Sequence, residues 1–128
     1  MHENGWFSIR SRSKKLYEMN KQRKENILPQ RFVATEPNQA WVSDVTYFSL
    51  KNIKYYICVI IDLYARKVVA YGISSKNSTQ LTKRTLSKAY YERMPIDGLI
   101  FHSDRGANYT SRTFIEFCKT LGIIRSLS

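Results

Sequence analysis

Three β-rich runs follow one another with connections too short to hold a helix. The runs are Ala40–Leu50, Ile53–Leu63 and Val68–Ile73, joined by residues 51–52 and 64–67. β-Branched and aromatic side chains favour strands in each run. Parallel neighbours would need a crossover connection of a dozen or more residues. The sequence therefore predicts an antiparallel meander of three strands, whose nearly continuous apolar middle member is buried on both faces.

The rest of the chain is predicted to alternate helices and strands. The predicted elements are a helix between Thr79 and Pro95, a short buried strand at Leu99–His102, a helix beginning within Thr110–Thr113, and a last strand starting at Ile123–Leu127. Asn77-Ser78-Thr79 is a typical helix start. Thr113 and Glu116 have the spacing of a capping box. A meander followed by helix, strand, helix and strand predicts an α/β fold with a mixed sheet and helices on its faces.

Two aspartates interrupt these apolar runs. Asp44 lies inside the first run, and Asp104 follows the predicted strand Leu99–His102. An ionised carboxylate is costly to bury, and ligands collect at the carboxyl ends of strands in open α/β sheets. Two such carboxylates would repel each other unless a divalent cation offset them, and Mg²⁺ prefers these oxygen ligands. Taken singly, however, an aspartate at a strand end is more often a turn or capping residue.

The charge of the chain favours a polyanionic partner. It carries 21 Lys and Arg against 10 Asp and Glu, for a net charge of +11. An excess of this size indicates nucleic acid before acidic small molecules, although attraction to phosphate is generic and does not identify the partner. Lys83, Arg84, Lys88 and Arg105 are candidate nucleic-acid contacts. A solvated helix face is the alternative for the first three.

Three further residues are candidates for supporting roles at the site. His102 is next to Ser103-Asp104 and is either an orienting hydrogen-bond partner or simply a strand-end histidine. Gly106 permits a left-handed backbone or the close approach of another group. Asp62 ends the apolar middle strand just before Arg66, so a turn or an ion pair explains it as well as a metal ligand does.

The two ends of the chain differ in composition. Residues 1–31 hold eight Lys and Arg and three Glu, with little apolar periodicity, which predicts a basic arm. The compact domain is predicted to occupy residues 32–128. No run of 18 apolar residues occurs, so no membrane span is predicted.

Three ordered motifs resemble a known family. They are residues 38–47 (NQAWVSDVTY), residues 56–70 with IDLYARKVV, and residues 101–109 (FHSDRGANY). Together they resemble bacterial insertion-sequence transposases of the OrfB type, which are related to retroviral integrases. The resemblance covers residues from about 30 to 128 without gaps. It implies a ribonuclease H-like fold, and it implies that residues 1–31 are the end of an upstream DNA-binding region.

The resemblance also implies an activity. Asp44 and Asp104 match the first two members of a catalytic triad of two aspartates and a glutamate that holds two Mg²⁺ or Mn²⁺ ions, and Asp62 matches a structural position. The implied chemistry is phosphodiester hydrolysis and strand transfer. The implied partners are DNA, as element ends and target, and further copies of the chain or a full-length transposase. The implied location is the cytoplasm, at the nucleoid.

One member of the triad is not matched. The family's glutamate lies a few dozen residues beyond the second aspartate, whereas 24 residues follow Asp104 here, and Glu116 comes too early. The resemblance therefore predicts a core truncated before the catalytic glutamate, with little or no activity alone and one sheet face partly bare. Two alternatives stay open. One is a non-catalytic DNA-binding regulator, and the other is a ribonuclease H-type nuclease acting on RNA–DNA hybrids.

Overall fold

A computed structural model describes residues 33–128, so the predicted basic arm at 1–31 lies outside the described residues. The elements are, in chain order, β1 (Ala40–Leu50), β2 (Ile53–Asp62), β3 (Lys67–Ser74), α1 (Thr79–Arg93), β4 (Ile100–Ser103), α2 (Ala107–Thr110), α3 (Arg112–Thr120) and β5 (Ile124–Leu127). The predicted order of strands and helices is confirmed. The one-turn helix α2 is an addition to it.

The five strands form one mixed sheet in the order β3-β2-β1-β4-β5. The meander is confirmed, because β1 pairs antiparallel with β2 and β2 pairs antiparallel with β3. β4 then pairs in parallel with β1, and β5 pairs in parallel with β4. The connection through α1 therefore carries the chain from one edge of the meander to the other, and β1 becomes the central strand.

Turn chemistry explains why β1 and β2 form a tight hairpin. Lys51 and Asn52 both have positive φ, at 52° and 66°. Two successive left-handed residues make the primed turn whose twist matches that of the flanking strands. The predicted tight turn at these two residues is confirmed.

The helices pack on one face of the sheet, where they bury the main core. α1 lies against β2 and β3, and α3 lies beside α1 and α2. The core cluster contains Trp41 and Ile60 from the sheet, Leu86 from α1, and Phe114 from α3. Close packing depends on Gly72, because a Cβ there would lie 2.4 Å from the Oγ1 of Thr85 on α1.

The opposite face of the meander carries exposed apolar side chains towards the hairpin tip and the β3 edge. Side chains alternate between the two faces of a strand, so residues neighbouring the helix-facing positions point to this second face. Its exposed members include Phe48, Leu50, Ile53, Tyr71 and Ile73. The prediction that the middle strand is buried on both faces is therefore wrong, because β2 is buried only on the side that the helices cover. Phe48 also stacks on Tyr55, with ring centroids 5.5 Å apart.

The predicted capping box of the third helix is wrong. α3 starts at Arg112, and Ser111 is its N-cap, because the Ser111 side chain accepts a hydrogen bond from the Phe114 amide. Thr113 therefore lies inside the first turn, and Glu116 pairs with Arg112 at 3.5 Å instead of reaching back to a capping residue. The extra turn α2 moves the helix start to Ser111. Among residues 33–128, no helix has the length and apolar character to cross a membrane.

Candidate metal and nucleic-acid site

The register between β1 and β4 brings Asp44 and Asp104 to equivalent positions. Ala40 pairs with Ile100, and Val42 pairs with His102, so each partner lies sixty residues further along the chain. Asp44 and Asp104 each lie two residues beyond the last of these pairs. Adjacent strands are about 4.8 Å apart, and residues two apart share a face. The register therefore brings Asp44 and Asp104 to equivalent positions just beyond the end of the β1–β4 ladder.

Each aspartate is held by a local backbone contact. Oδ1 of Asp104 accepts a hydrogen bond from the Gly106 amide at 2.8 Å, and Oδ1 of Asp44 accepts one from the Val45 amide at 2.9 Å. Asp104 is exposed and Asp44 is half-buried. Both local bonds fix Oδ1 of a carboxylate against the backbone of its own segment.

Gly106 serves the site through close approach and not through a left-handed backbone. Its φ of −61° is ordinary for any residue, so the left-handed alternative is wrong. A Cβ at this position would lie 3.0 Å from Oδ1 of Asp104. The absence of a side chain lets the backbone amide of Gly106 reach the carboxylate.

A buried hydroxyl cluster lies on the helix side of the sheet, directly beside Asp44. Oγ of Ser43 is 2.8 Å from Oη of Tyr109, and Sγ of Cys58 lies 3.6 Å and 3.8 Å from these two atoms. Burial is the main cause that raises the pKa of Cys58 and of Tyr109, and the nearby Asp44 charge adds to both shifts. The thiol and the phenol therefore stay protonated at neutral pH and can donate hydrogen bonds.

The one-turn helix α2 is tied to both the aspartate loop and α1. The amides of Tyr109 and Thr110 donate to the Gly106 carbonyl at 2.9 Å and 3.1 Å. Oγ1 of Thr82 on α1 donates to the Asn108 carbonyl at 2.8 Å, and the Asn108 side chain bonds to that of Asn77. These hydrogen bonds therefore fix the segment after Asp104 to α1 and to the residues before it.

His102 and Asp62 both make buried hydrogen bonds that connect neighbouring parts of the fold. Nδ1 of His102 is 2.8 Å from Oγ of Ser126 on β5, in a buried pair. The Asp62 side chain is 1 % exposed, and it accepts hydrogen bonds from the amides of Asn38, at 3.4 Å, and Tyr64, at 3.2 Å. Asp62 therefore joins the segment before β1 to the turn after β2, and its contacts lie at the opposite end of β1 from the hairpin.

The fold separates the α1 cations from the aspartates. Arg84 donates to the Ile73 carbonyl, and Lys88 donates to the Tyr71 carbonyl on the edge strand β3. Nζ of Lys83 lies 5.2 Å from the centre of the Phe117 ring. Since β2 lies between β3 and β1, these three cations form a basic surface on the helix side and do not join the aspartate pair.

Arg105 is the one candidate cation beside the aspartates in sequence. It directly follows Asp104, and its Nε donates to the Ser128 carbonyl at 3.0 Å. This contact holds the guanidinium at the sheet edge formed by β5.

The donor set of the site fits a hard divalent cation. Two carboxylates are typical ligands of Mg²⁺, which also takes substrate phosphates and water. Among residues 33–128, no group of three or more His, Cys, Asp or Glu side chains is placed to hold a metal. Glu116 does not complete such a group, because it lies on the exposed side of α3, on the helix-covered face of the sheet.

Sequence reasoning did not identify Ser43 and Tyr109 as a pair. A signal was available, because a buried tyrosine hydroxyl needs a hydrogen-bond partner, and Tyr109 belongs to the same motif as Asp104. Nothing in the sequence shows that this partner is the residue that precedes Asp44, since the two are sixty-six positions apart.

Comparison with known proteins gives a consistent picture. A family model described as the integrase core domain matches residues 34–128. The InsK transposase of IS150 from Escherichia coli K12 is 34% identical over 103 residues, which are 80% of this chain and 36% of that protein. The IS904 transposase of Lactococcus lactis is 35% identical over 80% of this chain and 41% of that protein. The chain therefore spans about two fifths or less of these relatives.

Solved structures share the fold. The HTLV-2 integrase catalytic core domain, in complex with magnesium in its dimeric form, has a TM-score of 0.66 and 26% identity. That match covers 73% of this chain and 62% of the other. A chain of the simian T-cell lymphotropic virus intasome, in complex with the PP2A subunit B56 gamma, has a TM-score of 0.69 and 23% identity, over 76% of this chain and 34% of the other.

Proposed function

This chain belongs to the integrase core domain family, and on that premise we propose that it is the catalytic-core segment of a DNA transposase. The proposed reactions are phosphodiester hydrolysis at the element ends and strand transfer into target DNA. The observation that supports this proposal best is the parallel register that aligns Asp44 with Asp104.

We assign the binding of Mg²⁺ or Mn²⁺ to these two carboxylates. Bound divalent ions would activate the attacking hydroxyl and stabilise the leaving oxygen of the displacement. The contribution of the protein is to hold Asp104 through the Gly106 amide and Asp44 through the central strand. Arg105, next to Asp104 in sequence, is the cation that we assign to a substrate phosphate.

DNA is the proposed substrate and partner. The net charge of +11 supports binding to phosphates along the backbone, independent of base sequence. The basic surface of Lys83, Arg84 and Lys88 would contact DNA away from the reacting phosphate, because α1 packs on β2 and β3 whereas the aspartates follow the pairing of β1 with β4. Self-association, or association with a longer transposase, is part of the same proposal, as is a location at the nucleoid.

A non-catalytic DNA-binding regulator is the second candidate function. It is favoured by one observation, which is that no group of three or more His, Cys, Asp or Glu side chains among residues 33–128 is placed to hold a metal. Two carboxylates alone would hold a second metal ion weakly, so we expect residues 33–128 to support binding of DNA and one metal ion with little or no cleavage.

The test measures Mn²⁺ binding and DNA chemistry with the same protein. Electron paramagnetic resonance of free Mn²⁺ gives the dissociation constant for the full chain and for Asp44→Asn and Asp104→Asn. Asp97→Asn is the control, because Asp97 precedes β4 and Asp104 follows it, so the two lie at opposite ends of that strand. We expect both site variants to weaken binding by at least tenfold and the control to match the wild type. Equal binding by all four proteins would disprove the metal site.

Cleavage and strand transfer on labelled DNA duplexes then separate the two functions. Product formation that Asp44→Asn abolishes would establish the enzyme and refute the expected inactivity of this chain. DNA binding without products, alongside metal binding, would support the regulator. Cleavage of RNA–DNA hybrids in preference to duplex DNA would instead support the ribonuclease H-type alternative.

A further inference from the structure

A single hydrogen bond links the immediate neighbours of the two aspartates. Ser43 directly precedes Asp44, and its Oγ lies 2.8 Å from Oη of Tyr109. Tyr109 lies five residues after Asp104, in the one-turn helix α2. The bond therefore connects the strand that carries the first carboxylate with the loop that carries the second.

Two hydrogen bonds connect Tyr109 to Asp104 through Gly106. The Tyr109 amide donates to the Gly106 carbonyl at 2.9 Å, and the Gly106 amide donates to Oδ1 of Asp104 at 2.8 Å. The Tyr109 ring is 2 % exposed, and it packs against Phe101 and Phe114 with ring centroids 6.2 Å and 5.7 Å away. A movement of the Tyr109 hydroxyl would therefore be passed to the Asp104 carboxylate.

The strand ladder does not provide this link by itself. The paired residues of β1 and β4 end at Val42 and His102, two residues before the aspartates. Beyond that point the spacing of the two carboxylates depends on other contacts. Just after the last ladder pair, the hydrogen bond between Ser43 and Tyr109 connects the two segments. It is buried away from competing water, where hydrogen bonds are strongest.

We propose that the Ser43–Tyr109 hydroxyl pair positions Asp44 and Asp104 for divalent-metal binding. This inference rests on the proposed function, because it assigns the task of metal binding to the two aspartates. Neither hydroxyl contacts the metal. Both act through the backbone next to the carboxylates, one step further from the metal than groups that hydrogen-bond a ligand directly, whose loss costs about 10- to 100-fold in affinity.

The experiment measures the Mn²⁺ dissociation constant of the full chain by electron paramagnetic resonance, and the melting temperature without metal in parallel. Tyr109→Phe and Ser43→Ala each remove one hydroxyl and are expected to weaken Mn²⁺ binding by about tenfold. The double variant should bind no more weakly than either single variant, since both break the same bond. Ser43→Thr keeps the hydroxyl and should restore wild-type affinity.

Tyr90→Phe is the matched control, because Tyr90 is a half-buried tyrosine of α1 that packs against the same core, and we expect wild-type affinity from it. If Tyr109→Phe and Ser43→Ala lower the melting temperature but bind Mn²⁺ as the wild type does, the positioning role is refuted. Should Tyr109→Phe fail to fold, the Mn²⁺ dissociation constants of Ser43→Ala and Ser43→Thr test the positioning role instead.

The Asp44→Asn variant separates this inference from the proposed function. If the wild type binds Mn²⁺ and Asp44→Asn does not, the metal site stands and the hydroxyl variants test positioning alone. Absence of binding by the wild type would refute both the proposed metal site and its positioning pair.

Discussion

Val42 and His102 pair across β1 and β4, and this pairing sets the register that aligns Asp44 with Asp104. Because the side chains of a strand alternate between faces, a slip of one residue would send one carboxylate to the other side of the sheet. The buried contact between His102 and Ser126 continues the same alignment into β5.

Metal should stabilise the folded chain through the aspartate pair. With Mg²⁺ at about 100 times its dissociation constant, the free energy of unfolding should rise by about 2.7 kcal/mol. Asp44→Asn and Asp104→Asn should lose this gain but lose no stability in EDTA, since each removes one of two repelling charges. Urea unfolding with and without Mg²⁺ measures both effects. Asp97→Asn should behave as the wild type.

Asp62→Ala should destabilise the fold without changing metal affinity. The side chain accepts hydrogen bonds from the Asn38 and Tyr64 amides while almost fully buried, and unmet buried donors cost about 1–3 kcal/mol. Urea unfolding measures the loss, and Mn²⁺ titration measures the site. Weaker Mn²⁺ binding by a folded Asp62→Ala chain would show that Asp62 serves the metal.

Gly72→Ala should destabilise the packing of α1 on β3. The added Cβ would clash with Oγ1 of Thr85, so the Thr85 side chain, the helix or the edge strand must shift. We expect a loss of about 1–3 kcal/mol in the free energy of unfolding. Adding Thr85→Ala removes the opposing atom, so the double variant should lose less than the two single losses together. Strictly additive losses would contradict the close contact.

Alkaline pH should destabilise the protein through Cys118. Burial raises the pKa of this thiol from 9.0 to about 12, against an opposing effect of Arg125. Between these values the unfolded thiol loses its proton while the folded one keeps it, so the free energy of unfolding falls as pH rises. The thiol should contribute about 1.4 kcal/mol per pH unit.

Urea unfolding between pH 8 and pH 10.5 measures this slope. Cys118→Ala should reduce this slope but not remove it, because burial also raises the pKa of Cys58 and Tyr109. Ile123→Ala, which also opens a cavity in the core, should lower stability at every pH and keep the slope. An identical slope in Cys118→Ala and the wild type would contradict the raised pKa.

DNA affinity should fall steeply with salt. The logarithm of the binding constant should decrease linearly with the logarithm of salt concentration, with a slope of about −0.9 for each phosphate contact. Replacing Lys83, Arg84 and Lys88 together by Gln should make the slope less negative if the basic surface contacts DNA. Fluorescence anisotropy on a labelled duplex measures both slopes. An unchanged slope would show that these cations do not contact DNA and form a solvated helix face.

The meander could be predicted from the sequence because its physics is local. The connections at residues 51–52 and 64–67 are too short for anything except antiparallel neighbours, and the positive φ of Lys51 and Asn52 completes the first turn. The same local reasoning gave the wrong capping residue for α3. There Ser111, Thr110 and Thr113 compete as caps, and only the extra turn α2 decides in favour of Ser111.

The sequence by itself determined that two aspartates interrupt β-rich runs in a basic chain, and its ordered motifs indicated the family. Only the tertiary structure decided that β4 enters the sheet beside β1 in the register of Val42 and His102, and that Tyr109 meets Ser43. Both contacts join residues about sixty positions apart. The burial of aromatic side chains between α1, α3 and the central strands selects such partners, and no local pattern of residue types encodes them.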